Sequence, residues 1–270
     1  MSIVKSFADK LFSISFSDFL WGHNIVRNKG VLLKERSSIS YSKIEIAKGS
    51  SLKIGKNCVL RNVSICIGEA GTNIVIGDNN YICNVNIITY KADVKIGDNN
   101  IFETGENSFR MSIKVLNASI EIGNYNRIRC DLWARFNSIL RIGNRNAINQ
   151  RTEIRCDEKV EIGDYNQISY DCMVWDTNTH NIYSSEKRRR ITDRQYPQFG
   201  LEYERPKTKP VFIGSDCWIG RGCLILKGTI IKDNCIVACN TLLSGGLYEQ
   251  YSTIMTDNKV RVIKNSEHNE

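Results

Sequence analysis

The stretch MVWDTNTHNIYS, residues 173–184, sets Asp176 four positions before His180, one of three histidines in the chain. An imidazole titrates near neutrality and can take a proton from a hydroxyl as that group becomes a nucleophile. The carboxylate has two readings: it orients the ring and fixes its tautomer, or it caps a turn. His23 falls in the N-terminal segment and His268 in the polar tail NSEHNE, so His180 is the histidine placed for chemistry. Directly after it comes SEKRRRITDRQYPQF, unlike anything else in the sequence. From Ser184 to Lys209, eight basic residues stand against four acidic ones, an excess that is half of the net charge of +8. Tyr196, Phe199 and Tyr203 are interleaved with these charges. Such a segment suits the guidance of an anionic partner; a solvated arm packed on a neighbouring subunit is the other reading.

A metal centre does not emerge. The three histidines are dispersed, and the ten cysteines include no CxxC pair. With no export signal in view, the cysteines read as free thiols in a reducing compartment. Hydrophobic residues at 41% and charged residues at 24% belong to a soluble globular chain and exclude disordered and collagen-like classes. The opening MSIVKSFADKLFSISFSDFLWG is broken by Lys5, Asp9, Lys10 and Asp18 before any span long enough for a membrane. It reads as a short amphipathic helix capping the fold, able to touch a membrane surface or a neighbouring subunit, which places the protein in the cytoplasm or at the inner face of a membrane.

The elements that position His180 are written as a repeat. Ile-Gly recurs at Ile54, Ile76, Ile96, Ile122, Ile142, Ile162 and Ile213. Counting in sixes from Ile213 meets Ile219, Ile225, Ile231, Val237 and Leu243, all aliphatic. A period of six fits neither an amphipathic helix nor a long alternating strand. It fits a solenoid in which each hexad is a short strand plus a corner and three hexads close one triangular coil. Asn80, Asn100, Asn126, Asn146 and Asn166 recur at one place in the hexad and predict an asparagine ladder; Cys58, Cys172, Cys217, Cys223 and Cys235 recur where a tight corner wants a small side chain. The count stops at Trp175 and resumes at Val211, so the stretch around His180 is the largest break in the repeat. Insertions of that length in compact repeats are usually functional.

The repeat resembles that of the hexapeptide-repeat acyltransferases, which form left-handed parallel β-helices and usually trimers. The run DTNTHNI followed by KPVFIGSDCWIGRGCLILKGTIIKDNCIVACNTLLSGG is similar to the sugar O-acetyltransferase branch, which includes galactoside and maltose acetyltransferases and O-acetyltransferases of capsular and lipopolysaccharide chains. The resemblance implies an all-β, left-handed parallel β-helix with a short N-terminal helical cap (1–43), a catalytic solenoid (44–246) carrying one long inserted loop (176–210), and a C-terminal tail (247–270). It implies acetyl-CoA as cosubstrate, a glycan acceptor, anionic in keeping with the charge, a homotrimer, and no role for nucleic acid. On matching positions it makes His180 the base and Trp218 the block tryptophan, which lines the acceptor pocket, donates toward the developing oxyanion, or simply packs. It sets acetyl-CoA near Gly220, Gly222, Ala238 and Asn240, with Lys227, Lys259 and Arg261 facing its phosphates. The branch's usual Ala-Gly-Ser reads ACNT here, and its closing Gly-Asn-Pro-Ala-Lys reads TDNKVRV. The expected function is acetyl transfer to a sugar hydroxyl of a bacterial surface polysaccharide or its precursor. The alternatives are N-acetylation of a nucleotide-linked amino sugar and a non-catalytic, polysaccharide-binding solenoid. A carbonic anhydrase on such a fold needs three histidines at one interface, which this chain does not gather.

Overall fold

A computed structural model of the chain describes residues 24–104, 110–197, 200 and 202–257. Residues 1–23 of the N-terminal cap segment, which hold its expected helix and His23, and Phe199, Lys259, Arg261 and His268 lie outside the described residues.

Short strands wind into a three-faced parallel solenoid. The first face runs from Ile25–Asn28 through Met173–Trp175 to the starts of the long strands Leu224–Ile231 and Leu242–Tyr248, and the second from Val31–Lys34 through Val211–Ile213 to the ends of those same two strands. The third face is a ten-stranded sheet from Ser38–Ser40 to Thr253–Ile254. Coils therefore begin before residue 44 and continue past residue 246, beyond both bounds expected of the solenoid. On the first face the register stacks Val26, Ile44, Ile65, Ile87, Ile113, Leu132, Ile154, Val174, Ile225 and Leu243 in one aliphatic column. From Ile44 upward every member is buried. Each contributes about 1.5–3 kcal/mol of burial, which single coils cannot collect without neighbours above and below.

The corners explain the hexad. At Gly77 a side chain would collide with the Asp98 carboxylate, because Asp98 Oδ1 accepts the Asp78 N–H at 2.7 Å across the coil boundary. The interior asparagine ladder forms: Asn100, Asn126, Asn146 and Asn166 each donate a backbone N–H to the side-chain oxygen of the asparagine one coil earlier, at 2.8–2.9 Å. Cys217 continues the ladder by donating its N–H to Asn166 Oδ1. The five cysteines at this type of position are buried, and each thiol reaches a carbonyl of a neighbouring coil: Cys58 to Gly77, Cys172 to Gly220, Cys217 to Lys232, Cys223 to Ala238 and Cys235 to Glu249, at 3.0–3.2 Å. A thiol there substitutes for the asparagine amide as a small corner donor.

One column of corner residues takes left-handed backbone angles in successive coils: Asn57, Asn79, Asn99, Tyr125, Arg145, Tyr165, Asp216, Asn234 and Tyr251. Each donates its N–H to the carbonyl of a residue one coil below. Left-handed angles cost an ordinary L-residue roughly 1–2 kcal/mol, and the short polar side chains of Asn and Asp reduce that cost by local hydrogen bonding. The two tyrosines and the arginine in the middle of the column do not have that relief.

Candidate active site

The excursion leaves the solenoid between the first and second faces through a narrow neck. Thr177 bridges Thr208 in antiparallel fashion, the Asn178 N–H donates to Lys207 O at 3.0 Å, and the Lys209 N–H donates to Asp176 O at 2.9 Å. All three prolines of the chain, Pro197, Pro206 and Pro210, fall on the return path, where no ladder donor is required. Above the neck, Thr179 takes a left-handed angle, its N–H bonded to Thr177 Oγ1 at 3.0 Å, and the His180 N–H donates to Asn178 O at 2.7 Å. This tight double turn swings the imidazole clear of the coil. Where a loop was expected, a helix spans Ser185–Gln195, capped by Ser184 Oγ accepting from the Lys187 N–H. Its basic residues are good helix formers, and the Ser cap with Glu186 in the first turn starts it in the favoured way.

His180 is half exposed, at 54% of its side chain, while Glu202 beside it is at 1%. His180 Nδ1 lies 3.0 Å from Glu202 Oε1. An ionised carboxylate only accepts, so Nδ1 carries a proton, and in the neutral ring Nε2 is then the nitrogen with the lone pair. Glu202 is fully engaged: Arg188, from the helix, donates to Oε1 at 3.1 Å, and Asn181 Nδ2 and the Tyr183 hydroxyl donate to Oε2 at 3.1 and 3.4 Å. Burial by itself would raise the Glu202 pKa; the hydrogen bonds from His180, Asn181 and Arg188 outweigh it and hold the carboxyl below its ordinary value. Arg188 also donates to Asn181 O at 2.9 Å, tying the helix to the turn that carries His180. Gly200 closes the far side, with room for a side chain only 3.8 Å from His180 Cε1.

Asp176 is not the partner of the imidazole. It is wholly buried, and its oxygens accept the backbone N–H groups of Asp157, Glu158 and Lys159 at 2.7–2.8 Å. Of its two readings, the turn cap is the one the geometry gives, made across the coil boundary. Burial pushes its pKa up against the pull of these three amides. The orienting carboxylate comes from Glu202, which the sequence reading counted only among the acidic residues of the excursion. Being one of four acidic residues in a basic segment does not single it out, and twenty-two positions of unpatterned chain separate it from His180.

The remaining expected site residues divide between two other places. Trp218 stands on the third face, opposite Gln167 and Ile236, with 56% of its surface exposed. Gly220 stacks beside Ala238, and Gly222 beside Asn240, at the corner between the third and first faces. The Cβ of any residue at 220 would come 2.7 Å from the Cys239 nitrogen, so coil stacking demands that glycine; at 222 the φ of 71° favours glycine and a Cβ would meet the Asn240 side-chain oxygen. The N–H groups here are spent on neighbouring coils: Gly220 to Val237 O, Gly222 to Tyr170 O, Ala238 to Ile254 O and Asn240 to Arg221 O. What remains is a shelf whose smallest positions are Gly220, Gly222 and Ala238, with the Asn240 amide lying against Gly222. Lys227 is elsewhere; its ammonium donates to Asn178 Oδ1, beneath the turn that carries His180. Lys227 therefore braces that turn and is separated from the glycine shelf by the width of the first face. Among the described residues no group of three or more His, Cys, Asp or Glu could hold a metal ion, and no helix is long and apolar enough to cross a membrane.

Residues 210–245 match the family model for the bacterial transferase hexapeptide (six repeats). No curated protein sequence matches the chain. Among solved structures, the polysialic acid O-acetyltransferase OatWY is similar at 18% identity over 92% of this chain and 90% of its own, with a TM-score of 0.41. The polySia specific acetyltransferase NeuO is similar at 16% identity over 92% of this chain and 84% of its own, with a TM-score of 0.46.

Proposed function

We propose that the protein is an acetyl-CoA-dependent O-acetyltransferase acting on a sugar hydroxyl of a bacterial surface polysaccharide, such as a capsule or lipopolysaccharide chain, or its precursor. The observation that carries this reading is the His180–Glu202 pair: a buried carboxylate on Nδ1 and a half-exposed ring whose Nε2 is free to act as a base. In the proposed reaction Nε2 takes the proton of the acceptor hydroxyl as its oxygen attacks the thioester carbonyl. The carbon–sulfur bond then breaks, and the proton passes from His180 to the departing thiolate. The imidazolium formed midway is stabilised by Glu202, which stays ionised. The hexapeptide match over residues 210–245 supports the reaction class.

A single coil stack separates the base from the shelf at Gly220, Gly222, Ala238 and Asn240, where the thioester is proposed to lie. The reading therefore requires a second copy, with His180 of one chain facing the shelf of the next, and a left-handed trimer supplies three such sites. Lys259 and Arg261 are proposed to meet the CoA phosphates. Trp218, exposed on the third face, is proposed to contribute from within that interface as acceptor platform or oxyanion donor. The first test is thiol release from acetyl-CoA in the presence of candidate glycans and amino sugars. His180→Ala should abolish transfer to hydroxyls while leaving the circular dichroism spectrum unchanged; turnover equal to wild type would end the reading.

A further inference from the structure

In the left-handed corner column, coils on both sides carry Asn57, Asn79, Asn99, Asp216 and Asn234, whereas three successive coils carry Tyr125, Arg145 and Tyr165 at φ of 60°, 56° and 58°. Tyr251 also departs from the short polar pattern, but next to Asn234 it has no such stack. The left-handed angle serves the corner in every coil, but side chains without the local relief of Asn or Asp are the costlier choice for it, and residues held in costly conformations cluster at functional sites. Here the three side chains form an open stack: the Arg145 guanidinium lies 4.7 Å from the Tyr125 ring centre and 5.6 Å from that of Tyr165. Both tyrosines are 55% exposed, and the column neighbours beyond them, Asn99 and Asp216, are too short to cover a ring.

Arg145 differs from the arginines around it. Arg135 pairs with Asp157, Arg141 with Glu121 and Glu161, and Arg151 with Asp171, but among the described residues Arg145 contacts no carboxylate. A guanidinium set between two rings and paired with no carboxylate keeps N–H donors for an anionic group, which it can grip with two parallel hydrogen bonds. Immediately beside the stack, a groove of about 1010 Å³ runs along the second face, its rim formed by Gly123, Asn124, Gly143 and Gly163. Its charges balance: Lys95, Arg141 and Lys232 against Glu121, Glu161 and Asp233.

We infer that Tyr125, Arg145 and Tyr165 form a binding platform for a carboxylated polysaccharide, holding a part of the chain away from the reacting sugar. Exposed tyrosine rings stack on the apolar faces of pyranoses, and Arg145 takes a carboxylate. Coils lie about 4.8 Å apart, so the two tyrosines stand roughly 10 Å from each other, a span suited to alternate sugars of an extended chain. The balanced groove disfavours single-stranded nucleic acid, which needs a positive track for its phosphates. A convex corner three side chains wide falls far short of the roughly 800 Å² per partner of a stable protein interface. The platform deepens the acetyl-transfer reading and rests on it only in taking the bound polymer to be the acceptor.

The decisive variants are Tyr125→Asn and Tyr165→Asn together, and Arg145→Asn, because Asn is the residue this column uses in other coils. Binding is measured without acetyl donor, by calorimetry, against hyaluronan, alginate, polygalacturonate and a sialic acid polymer, with dextran and single-stranded oligo(dT) as controls. Wild type should bind at least one carboxylated polymer and neither control. The tyrosine pair variant and Arg145→Asn should each bind that polymer at least 10-fold more weakly, with Tm unchanged or raised. In turnover the same variants should raise KM for the polymer, leave kcat intact, and leave transfer to a monosaccharide unaffected. The proposal falls if wild type binds none of the four polymers, if the variants bind as wild type does, or if Tm drops by several degrees. It also falls if oligo(dT) binding is what the variants lose, or if light scattering shows a changed oligomer. Polymer binding that survives while acetyl transfer is absent would overturn the acetyl-transfer reading and leave the platform standing.

Discussion

At the scale of single residues, the site turns on which carboxylate faces the imidazole. Glu202→Gln keeps the shape and removes the charge, so the imidazolium loses its counterion and Nδ1 faces an amide that can either accept or donate. The expected result is a fall in kcat of about 10²-fold with little change in KM, read from initial rates. The pKa of Glu202 is held below its ordinary value in the folded state. Its contribution to stability is therefore complete above the ordinary carboxylate range and is lost as pH falls through the lowered value. The Tm difference between wild type and Glu202→Gln should be full at neutral pH, begin to shrink as pH enters the ordinary carboxylate range, and vanish below the lowered value. Asp176→Ala probes a different role. It strands three buried backbone N–H groups and should cost about 2–4 kcal/mol of unfolding free energy in a urea titration. Sequence reading found His180 and Asp176 because both sit where the hexad count breaks. It could not rank Asp176 below Glu202, because a break shows where the chain leaves the repeat and not where it returns.

Elements position these residues through repetition. The asparagine ladder is one continuous hydrogen-bonded device, and Asn126 in its middle donates to Asn100 Oδ1 and Gly143 O while accepting from Asn146. Asn126→Ala should destabilise the array by roughly 2–4 kcal/mol, and hydrogen exchange should show the loss concentrated in the coils on either side. The ladder was legible because a side chain that satisfies its neighbour one coil away must recur at the coil period. The helix Ser185–Gln195 was not. Its only burial is at Gln195, so its sequence carries no apolar stripe; it is held by Arg188 reaching Glu202 and Asn181, contacts made across the excursion. Arg188 is thus the link through which helix and histidine hold each other.

For the whole molecule, the proposed reaction places base and thioester shelf on different corners of one chain. Mixed oligomers of His180→Ala and Ala238→Arg, two variants expected to be inactive alone, should regain about one quarter of wild-type activity when refolded together, since each site then draws on two chains. Absence of any recovery would place the whole site within one chain. The cysteines offer a second global reading. Burial raises the Cys217 and Cys223 thiols to about 11, and among the ten only Cys239 is exposed. A thiol reagent at neutral pH should label Cys239 first, with the buried thiols following only on denaturation; rapid labelling of Cys217 or Cys223 in the native protein would contradict the packing described for their corners.

The six-residue period by itself determined the solenoid, its interior ladder and the place of its interruption. Those features repeat, and stacking forces each coil to satisfy the one beneath it, so every copy restates the same constraint in the sequence. Tertiary structure decided what happens once: that Glu202 returns to His180, that Asp176 serves the coil below, that Lys227 braces the histidine turn instead of joining the glycine shelf, and that Tyr125, Arg145 and Tyr165 stack on one corner. These contacts join residues on different coils or across an unpatterned insertion. Their partners are set by the path of the chain in space, which no local spacing records.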